Sequence, residues 1–422
     1  MRNLTTIVFI HRHDGWVPAG RLTMVEDGRN SHAVFDYGTR YVRRPDRVSV
    51  DPSALPLPDE GTRPAPFRTE PGFALFNGLR DAAPDGWGRY LMDKAAGAQA
   101  LDEYDYLLAS GDNRIGALAF GVPQEMVPRR QAPWGDQEAA GERIDLAALA
   151  EAAAHVYDVD RLEPGLRRLL EAGSSLGGAR PKAATEIDGR PWIAKFPAKD
   201  DLYSVSRIEY ATMSLAATCG LTVPPIQLTR IFDRDIYLIE RFDRTPVSPL
   251  RLPFASGLTL LGAHESESTR YAYSDLAEAL RLHGSQPRLD MAELFRRMVF
   301  NILVLNDDDH LRNHGFIHDG AGWRLSPLYD VVPKPQVGLD RRLVLGVGLE
   351  GRTATLDNAL SNATAFGLST EEAGAIIETL RATVNGAWRE AFTAAGLGPD
   401  LQARFATCFR QALPASERDA AE

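Results

Sequence analysis

Cysteine is nearly absent from this chain of 422 residues: Cys219 and Cys408 are its only two thiols, far apart and with no Cys-x-x-Cys. That excludes a disulfide framework and a thiolate metal site. Cys219 falls on the apolar side of an expected helix, where a thiol serves as buried filler. An excess of positive charge is also lacking. Forty-seven Lys and Arg against 57 Asp and Glu give a net charge of −10, and a protein that grips nucleic acid unaided needs a basic face. The pairs Arg43-Arg44, Arg129-Arg130 and Arg341-Arg342 read as solvated surface, unless folding gathers them into a patch. No apolar run approaches the ~18 residues that would span a bilayer. The N-terminus reads as a strand rather than a signal peptide, so the expected compartment is the cytoplasm, with no membrane partner.

What is present is the profile of an ordinary folded protein, 44% hydrophobic and 25% charged. Single cores stop growing near ~250–300 residues, so two or three packed units are expected. Residues 1–50 carry short β-rich runs at 5–10, 20–25 and 33–42, with a turn at Asp27-Gly28. A helix is expected over 85–96. Residues 123–144 have little periodic hydrophobicity and read as a linker. Two helices follow, over 145–156 and 161–172.

From Ser174 the order of elements becomes informative. A loop, Ser174-Ser-Leu-Gly-Gly-Ala-Arg-Pro-Lys182, leads into a hairpin over 183–196 that turns at Asp188-Gly189-Arg190. Residues 206–219 place Ile208, Ala211, Thr212, Leu215, Ala216 and Cys219 on one helical face, and Gly220 stops the helix. A second hairpin runs over 226–242, turning at Asp233-Arg234. The remainder is mostly helical, including 291–305 with Leu294, Phe295, Met298, Val299, Ile302 and Leu303 inward. The expected domains are therefore 1–122, a linker at 123–144, a β-rich lobe at 145–243 and an α-rich lobe at 244–422. The fold class is α+β, a two-lobed protein-kinase-like arrangement with an additional N-terminal β-rich subdomain.

The chemistry concentrates in Asn306-Asp-Asp-Asp-His-Leu-Arg-Asn-His-Gly-Phe316. Three consecutive carboxylates repel one another, and the negative end of the preceding helix dipole disfavours them further. A bare acidic turn is the plain alternative. Spacing argues against it: Asn313 stands five residues after Asp308, and Asp330 follows a short strand pair over 315–318 and 323–326. Phosphoryl transfer needs a carboxylate to take the hydroxyl proton, then an amide oxygen and a later carboxylate to hold Mg²⁺ against nucleotide phosphates. Kinase catalytic loops space Asp and Asn in this way. Asp308 is then the base, and Asn313 and Asp330 the metal ligands. Asp307 and Asp309 have weaker claims, since either could be a solvated neighbour, while His310 braces the loop. Lys195, closing an apolar strand, suits a nucleotide lysine. Glu209 either pairs with it, as the helix glutamate of kinases does, or closes a Ser206–Glu209 capping box. Gly177-Gly178 permits close backbone approach to an anion. The segment from Leu238 to Asp243 offers backbone groups to an adenine edge, with Phe242 lining its pocket.

These residues resemble the HipA-like serine/threonine kinases of bacterial toxin–antitoxin modules. The resemblance rests on Ser175-Leu-Gly-Gly-Ala-Arg-Pro-Lys182, Ile193-Ala-Lys-Phe-Pro197, Glu240-Arg-Phe-Asp-Arg244, the 306–313 loop, Ser326-Pro-Leu-Tyr-Asp330 and two N-terminal segments, 76–85 and 105–118. It covers nearly the whole chain. It implies an ATP- and Mg²⁺-dependent transferase, with Gly177, Gly178, Ala179, Arg180, Pro181 and Lys182 as phosphate loop and Lys195 as nucleotide lysine. Glu240, Arg241 and Phe242 become the adenine hinge. Asp308 is the base, His310 and Asn313 complete the catalytic loop, and Tyr329 and Asp330 close the nucleotide site. Ser175, or its neighbour Ser174, matches a serine whose autophosphorylation ejects the loop and switches the enzyme off, making the chain a phosphoprotein. A protein substrate from the translation apparatus, such as an aminoacyl-tRNA synthetase, is implied. So are a small helix-turn-helix antitoxin and operator DNA reached chiefly through it. Arg180-Pro181 departs from the more polar loops of some relatives, and Asp309 stands where several have Gly. Other functions that would use the same residues are a kinase-shaped co-repressor with vestigial catalysis and a kinase for a small-molecule alcohol. A metal hydrolase would need more converging ligands than the sequence offers.

Overall fold

The structure, a computed structural model, describes residues 2–26, 31–59, 65–111, 113–123, 127–128, 131–132, 145–158, 164–245, 250–335 and 341–414. The chain divides into two compact units. Asp27-Gly28, Arg129-Arg130 and most of the 123–144 linker lie outside the described residues.

Unit 1 comprises 1–200, 231–234 and 240–255. It begins with a five-stranded antiparallel sheet built from β1 (Arg2–Arg12), β2 (Gly15–Glu26), β3 (His32–Tyr37), β4 (Phe67–Arg68) and β5 (Leu118–Gly121), in the order β4-β3-β2-β1-β5. Alternation along β3 puts Ala33, Phe35 and Tyr37 inside. They pack with Leu22, Leu79 and Phe120 from the neighbouring strands and α1, a short helix over Asn77–Asp81. The run expected as a strand to residue 42 stops at Tyr37. There the chain turns, with Tyr41 and Val42 donating their N–H groups to the Gly38 carbonyl. Helices α2 (Gly86–Ala96) and α3 (Glu103–Ala109) follow, the second opened by a capping box between Asp102 and Asp105. Helices α4 (Leu146–His155) and α5 (Pro164–Gly173) match the two expected after the linker. The hairpin of β6 (Lys182–Ile187) and β7 (Arg190–Lys195) turns through Asp188 and Gly189, both at positive φ (50° and 74°), the geometry of a tight two-residue turn.

Unit 2 comprises 201–230, 235–239 and 256–422. It opens with α6 (Val205–Thr218), which Cys219 and Gly220 (φ 72°) terminate. Strands β8 (Ile226–Ile231) and β9 (Arg234–Glu240) lie side by side. The chain passes through β10 (Phe254–Ser256) into α7 (Gly257–Leu261), α8 (Tyr273–His283) and α9 (Pro287–Val304). Strands β11 (Gly315–His318) and β12 (Trp323–Leu325) pair antiparallel. Helices α10 (Leu356–Ser361), α11 (Thr370–Ala394) and α12 (Pro399–Phe405) complete the unit. Helix α9 is the core helix: Leu294, Phe295, Met298, Val299, Ile302 and Leu303 are all fully buried. At its far side Trp388 of α11 stacks on Phe409 with centroids 4.3 Å apart.

Both cysteines are free and buried, and burial pushes each thiol up to about 12. Arg341, read from sequence as solvated, is buried, with Nη2 donating to the Thr407 carbonyl at 2.6 Å. Among the described residues no helix is long and apolar enough to cross a membrane.

Candidate functional site

In unit 2 the acidic loop begins where α9 ends. Leu305 closes the helix in the left-handed region (φ 53°). The Asn306 amide side chain then donates to Asn301 Oδ1 at 3.1 Å, and Asn301 donates to the Tyr273 hydroxyl at 2.9 Å. This buried amide chain fixes the take-off of the loop.

The three carboxylates meet three different fates. Asp309 is buried, 1% exposed, and its Oδ1 accepts the Val344 N–H at 2.6 Å. Burial pushes its carboxyl up to about 6, against the opposing pull of that bond. It is therefore a structural anchor rather than a solvated side chain, a role sequence left open, because a partner from a distant segment takes it inside. Asp307 lies with Oδ1 3.2 Å from Lys334 Nζ. Asp308 alone keeps an open side chain, 54% exposed, with His310 Nε2 at 3.8 Å and Lys334 Nζ at 3.9 Å. Asp309 is thus separated from the other two carboxylates, which share the Lys334 ammonium.

The loop is closed upon Asp308. Asn313 Nδ2 donates to the Asp308 carbonyl at 2.7 Å, and the Asn313 N–H donates to the His310 carbonyl at 2.8 Å. An amide whose NH₂ is engaged in this way presents its oxygen as the remaining acceptor. The ring that braces the loop is that of His314, whose Nε2 meets the Asp309 carbonyl at 3.1 Å. Burial lowers His314 to about 3, so the ring is neutral and donates. Sequence reasoning assigned bracing to His310 and missed His314.

Asp330 is brought to the same loop through its neighbour. The Tyr329 hydroxyl donates to the carbonyl of Arg312, the residue before Asn313, at 2.8 Å. Asp330 itself sits at φ 57°, a conformation costing a non-glycine residue about 1–3 kcal/mol and concentrated at functional positions. Glu209 is buried on α6. It does not close a capping box, since the helix starts earlier: Ser204 is the N-cap and accepts from the Arg207 N–H. The buried Tyr237 hydroxyl is pushed well up, first by burial and then by the negative charges of Glu209 and Asp330.

Asn313 and Asp330 suit a divalent cation that keeps most of its ligands from phosphate and water, as Mg²⁺ does. No group of three His, Cys, Asp or Glu that could form a dedicated cage exists among the described residues.

In unit 1 the expected phosphate loop is held in place by α2. The Trp87 N–H donates to the Gly178 carbonyl at 2.9 Å and its indole to the Lys182 carbonyl at 2.8 Å. Gly88 is required beneath, because a Cβ there would lie 2.3 Å from the Ser174 carbonyl oxygen. Trp87 was not found from sequence; the only signal is the Gly86-Trp87-Gly88 run opening a helix. Ser174 and Ser175 are buried, and neither hydroxyl has a hydrogen-bond partner among the described residues. Gly177 and Ala179 are exposed, Arg180 is half-buried and Pro181 is buried. Gly178, at φ 81°, lies so close to the Lys182 ammonium that a Cβ would come within 2.6 Å of Nζ.

Lys182 and Lys195 are directly opposed across β6 and β7. Opposed residues share one sheet face, so these two buried lysines lie on the same face of the hairpin.

The expected hinge residues also lie in unit 1. Glu240 pairs with Arg190 at 2.8 Å. Arg241 is already engaged: its N–H donates to the Pro191 carbonyl at 2.9 Å, and its guanidinium to Asp243, Asn113 O and Arg114 O. The Phe242 ring lies against Phe254 with centroids 6.3 Å apart.

Residues 174–388 match the family model of the HipA-like C-terminal domain, and residues 13–121 match that of the HipA N-terminal domain. Two proteins of Sinorhizobium fredii are similar to the chain. One, named "Putative kinase Y4mE", is 26% identical over 330 residues, covering 70% of this chain and 74% of its own length. The other, "Putative kinase Y4dM", is 28% identical over 335 residues, covering 75% and 74%. Among solved structures, HipA from the Shewanella oneidensis MR-1 toxin–antitoxin complex of HipA, HipB and operator DNA aligns over 96% of both chains with a TM-score of 0.66 and 18% identity. The α+β fold is thus shared along nearly the full length.

Proposed function

Because the chain belongs to the HipA-like family, bearing both its N-terminal and its C-terminal domain, we propose that it is an ATP-dependent serine/threonine protein kinase of a toxin–antitoxin module. The observation that carries this reading is the catalytic loop, where one exposed carboxylate, Asp308, is framed by Asn313 and followed by the strained Asp330.

The roles follow from the chemistry of each group. Unit 1 binds nucleotide: Lys182 and Lys195 take phosphate oxygens, and the 177–182 loop surrounds them with backbone groups. Arg241 has its N–H on Pro191, so the hinge contact to adenine falls to the Glu240 carbonyl and the Phe242 N–H, which alternate with it along the chain. In unit 2 Asp308 takes the proton of the acceptor hydroxyl as its oxygen bonds to the γ-phosphorus. The bond to the bridging oxygen breaks, and that oxygen leaves with the electron pair on ADP. Asn313 and Asp330 would hold Mg²⁺, which would supply positive charge against the phosphates.

Ser175 or Ser174 is the autophosphorylation site. Both hydroxyls are buried, so modification requires the loop to leave its seat on Trp87, and the added charge then disfavours its return. The partners are a helix-turn-helix antitoxin and, through it, operator DNA. The protein substrate belongs to the translation apparatus. Asp308→Asn is the decisive variant: transfer from radiolabelled ATP onto the chain falls at least a hundredfold, while ATP binding measured by calorimetry changes less than threefold. Undiminished transfer refutes the assignment of the base.

A further inference from the structure

We propose that Lys334 is a positioning residue of the transfer site, holding the Asp308 carboxylate in its working orientation through the Asp307–Asp308 pair. The inference rests on the kinase reading above. It arises from a residue that neither spacing nor motif singled out.

Three observations carry it. The Lys334 backbone N–H donates to the Leu305 carbonyl at 3.1 Å, fastening this segment to the end of α9, where the acidic loop begins. Its ammonium then reaches both carboxylates, 3.2 Å from Asp307 Oδ1 and 3.9 Å from Asp308 Oδ1. Finally, Lys334 stands between Pro333 and Pro335. One proline fixes the φ before it and the other restricts Lys334 to extended conformations. Little backbone freedom is left to lose when the ammonium docks.

The physical need is specific. Two adjacent carboxylates at the negative end of a helix repel each other and the dipole. Asp309 has been taken inside by Val344, which leaves Asp307 and Asp308 both within reach of the Lys334 ammonium. A cation between them draws Asp307 aside and limits the rotamers of Asp308, so that one oxygen stays aimed at the incoming hydroxyl. A misplacement of ~1 Å can cost about a hundredfold in rate. A half-exposed ion pair adds little to folding. Its effect should therefore appear in turnover and not in melting, which separates positioning from mere scaffolding.

The experiment uses the full chain with MgATP, reading ADP formation and label carried onto the protein. Lys334→Met is expected to lower kcat ten- to a hundredfold, with KM for ATP within twofold and Tm within 2 °C of wild type. Lys334→Arg should recover most of the loss. Asp307→Asn should reproduce part of it, and adding Lys334→Met to that variant should cost far less than in wild type. An active wild type with an inert Asp308→Asn variant, but Lys334→Met within twofold of wild type, overturns this inference and leaves the kinase reading standing. Loss in Lys334→Met through a raised KM alone, or with no recovery in Lys334→Arg, overturns it as well. A wild type that forms no ADP and carries no label overturns both.

Discussion

Removing the carboxylate of Asp243 should be among the most damaging single changes to unit 1. Asp243 is fully buried, with Oδ1 accepting Arg241 Nε at 3.0 Å. Its Oδ2 accepts Arg241 Nη2 at 2.8 Å, Arg244 Nη1 at 2.7 Å and the Gly116 N–H at 2.7 Å. Burial pushes this carboxyl up, but the two guanidinium charges and the hydrogen bonds outweigh it and hold it down to about 2. The folded value is lower than the unfolded one, so the contribution is present above pH ~4 and is lost as pH falls through about 2. Two pK units correspond to roughly 3 kcal/mol.

Asp243→Ala does more than forfeit that amount, because it removes the buried carboxylate that both guanidinium groups share. Breaking a buried pair from one side costs about 3–5 kcal/mol. For a unit of 150–250 residues each kcal/mol moves Tm by roughly 2–4 °C, so a fall of about 6–20 °C is expected. The same guanidinium groups donate to Asn113 O, Arg114 O and Gly116 O, so the 240–244 segment should loosen as well. If Glu240 and Phe242 contact adenine, KM for ATP rises together with the loss of stability. Scanning calorimetry with nucleotide titration reads both. A Tm within 2 °C of wild type would falsify the ion-network account.

Two further changes test the loops. Gly88→Ala sets a Cβ against the Ser174 carbonyl oxygen, a backbone clash costing about 1–3 kcal/mol; proteolysis of the 174–182 loop should quicken, and an unchanged cleavage rate would sink the fit. Asp309, pushed up to about 6 by burial, favours folding below pH ~4 and loses that contribution, on the order of 3 kcal/mol, as pH rises through about 6. Asp309→Asn keeps an acceptor for Val344 and should flatten the pH dependence of unit 2 melting between pH 4 and 7. Asp51, also raised to about 6 by burial, leaves a residual slope in unit 1. Equal unit 2 slopes in variant and wild type would contradict the burial argument.

What could be read from the sequence follows how local the determining physics is. Helix α9 was legible because its apolar positions repeat at helical spacing, and the Asp308–Asn313 relation was legible because five residues of one loop fix it. The hairpin turn at Asp188-Gly189 needed only residues that tolerate positive φ. The fate of each carboxylate was not legible. Val344 takes Asp309 from 35 residues away, and nothing in the run Asp307-Asp308-Asp309 says which of three identical side chains it will take. Helix α6 fails in the same way on a smaller scale. Ser206, with Glu209 three residues on, is the better cap by pattern, yet the helix is capped by Ser204, whose hydroxyl and Arg207 both meet Asp235, about thirty residues on. Trp87 reaches Lys182 across 95 residues, a contact with no periodicity to announce it. Identical or near-equivalent residues are told apart only by partners that folding brings to them. An acidic triplet is therefore the kind of motif whose chemistry sequence can locate but whose working member it can assign only through a spacing rule such as the one ending at Asn313.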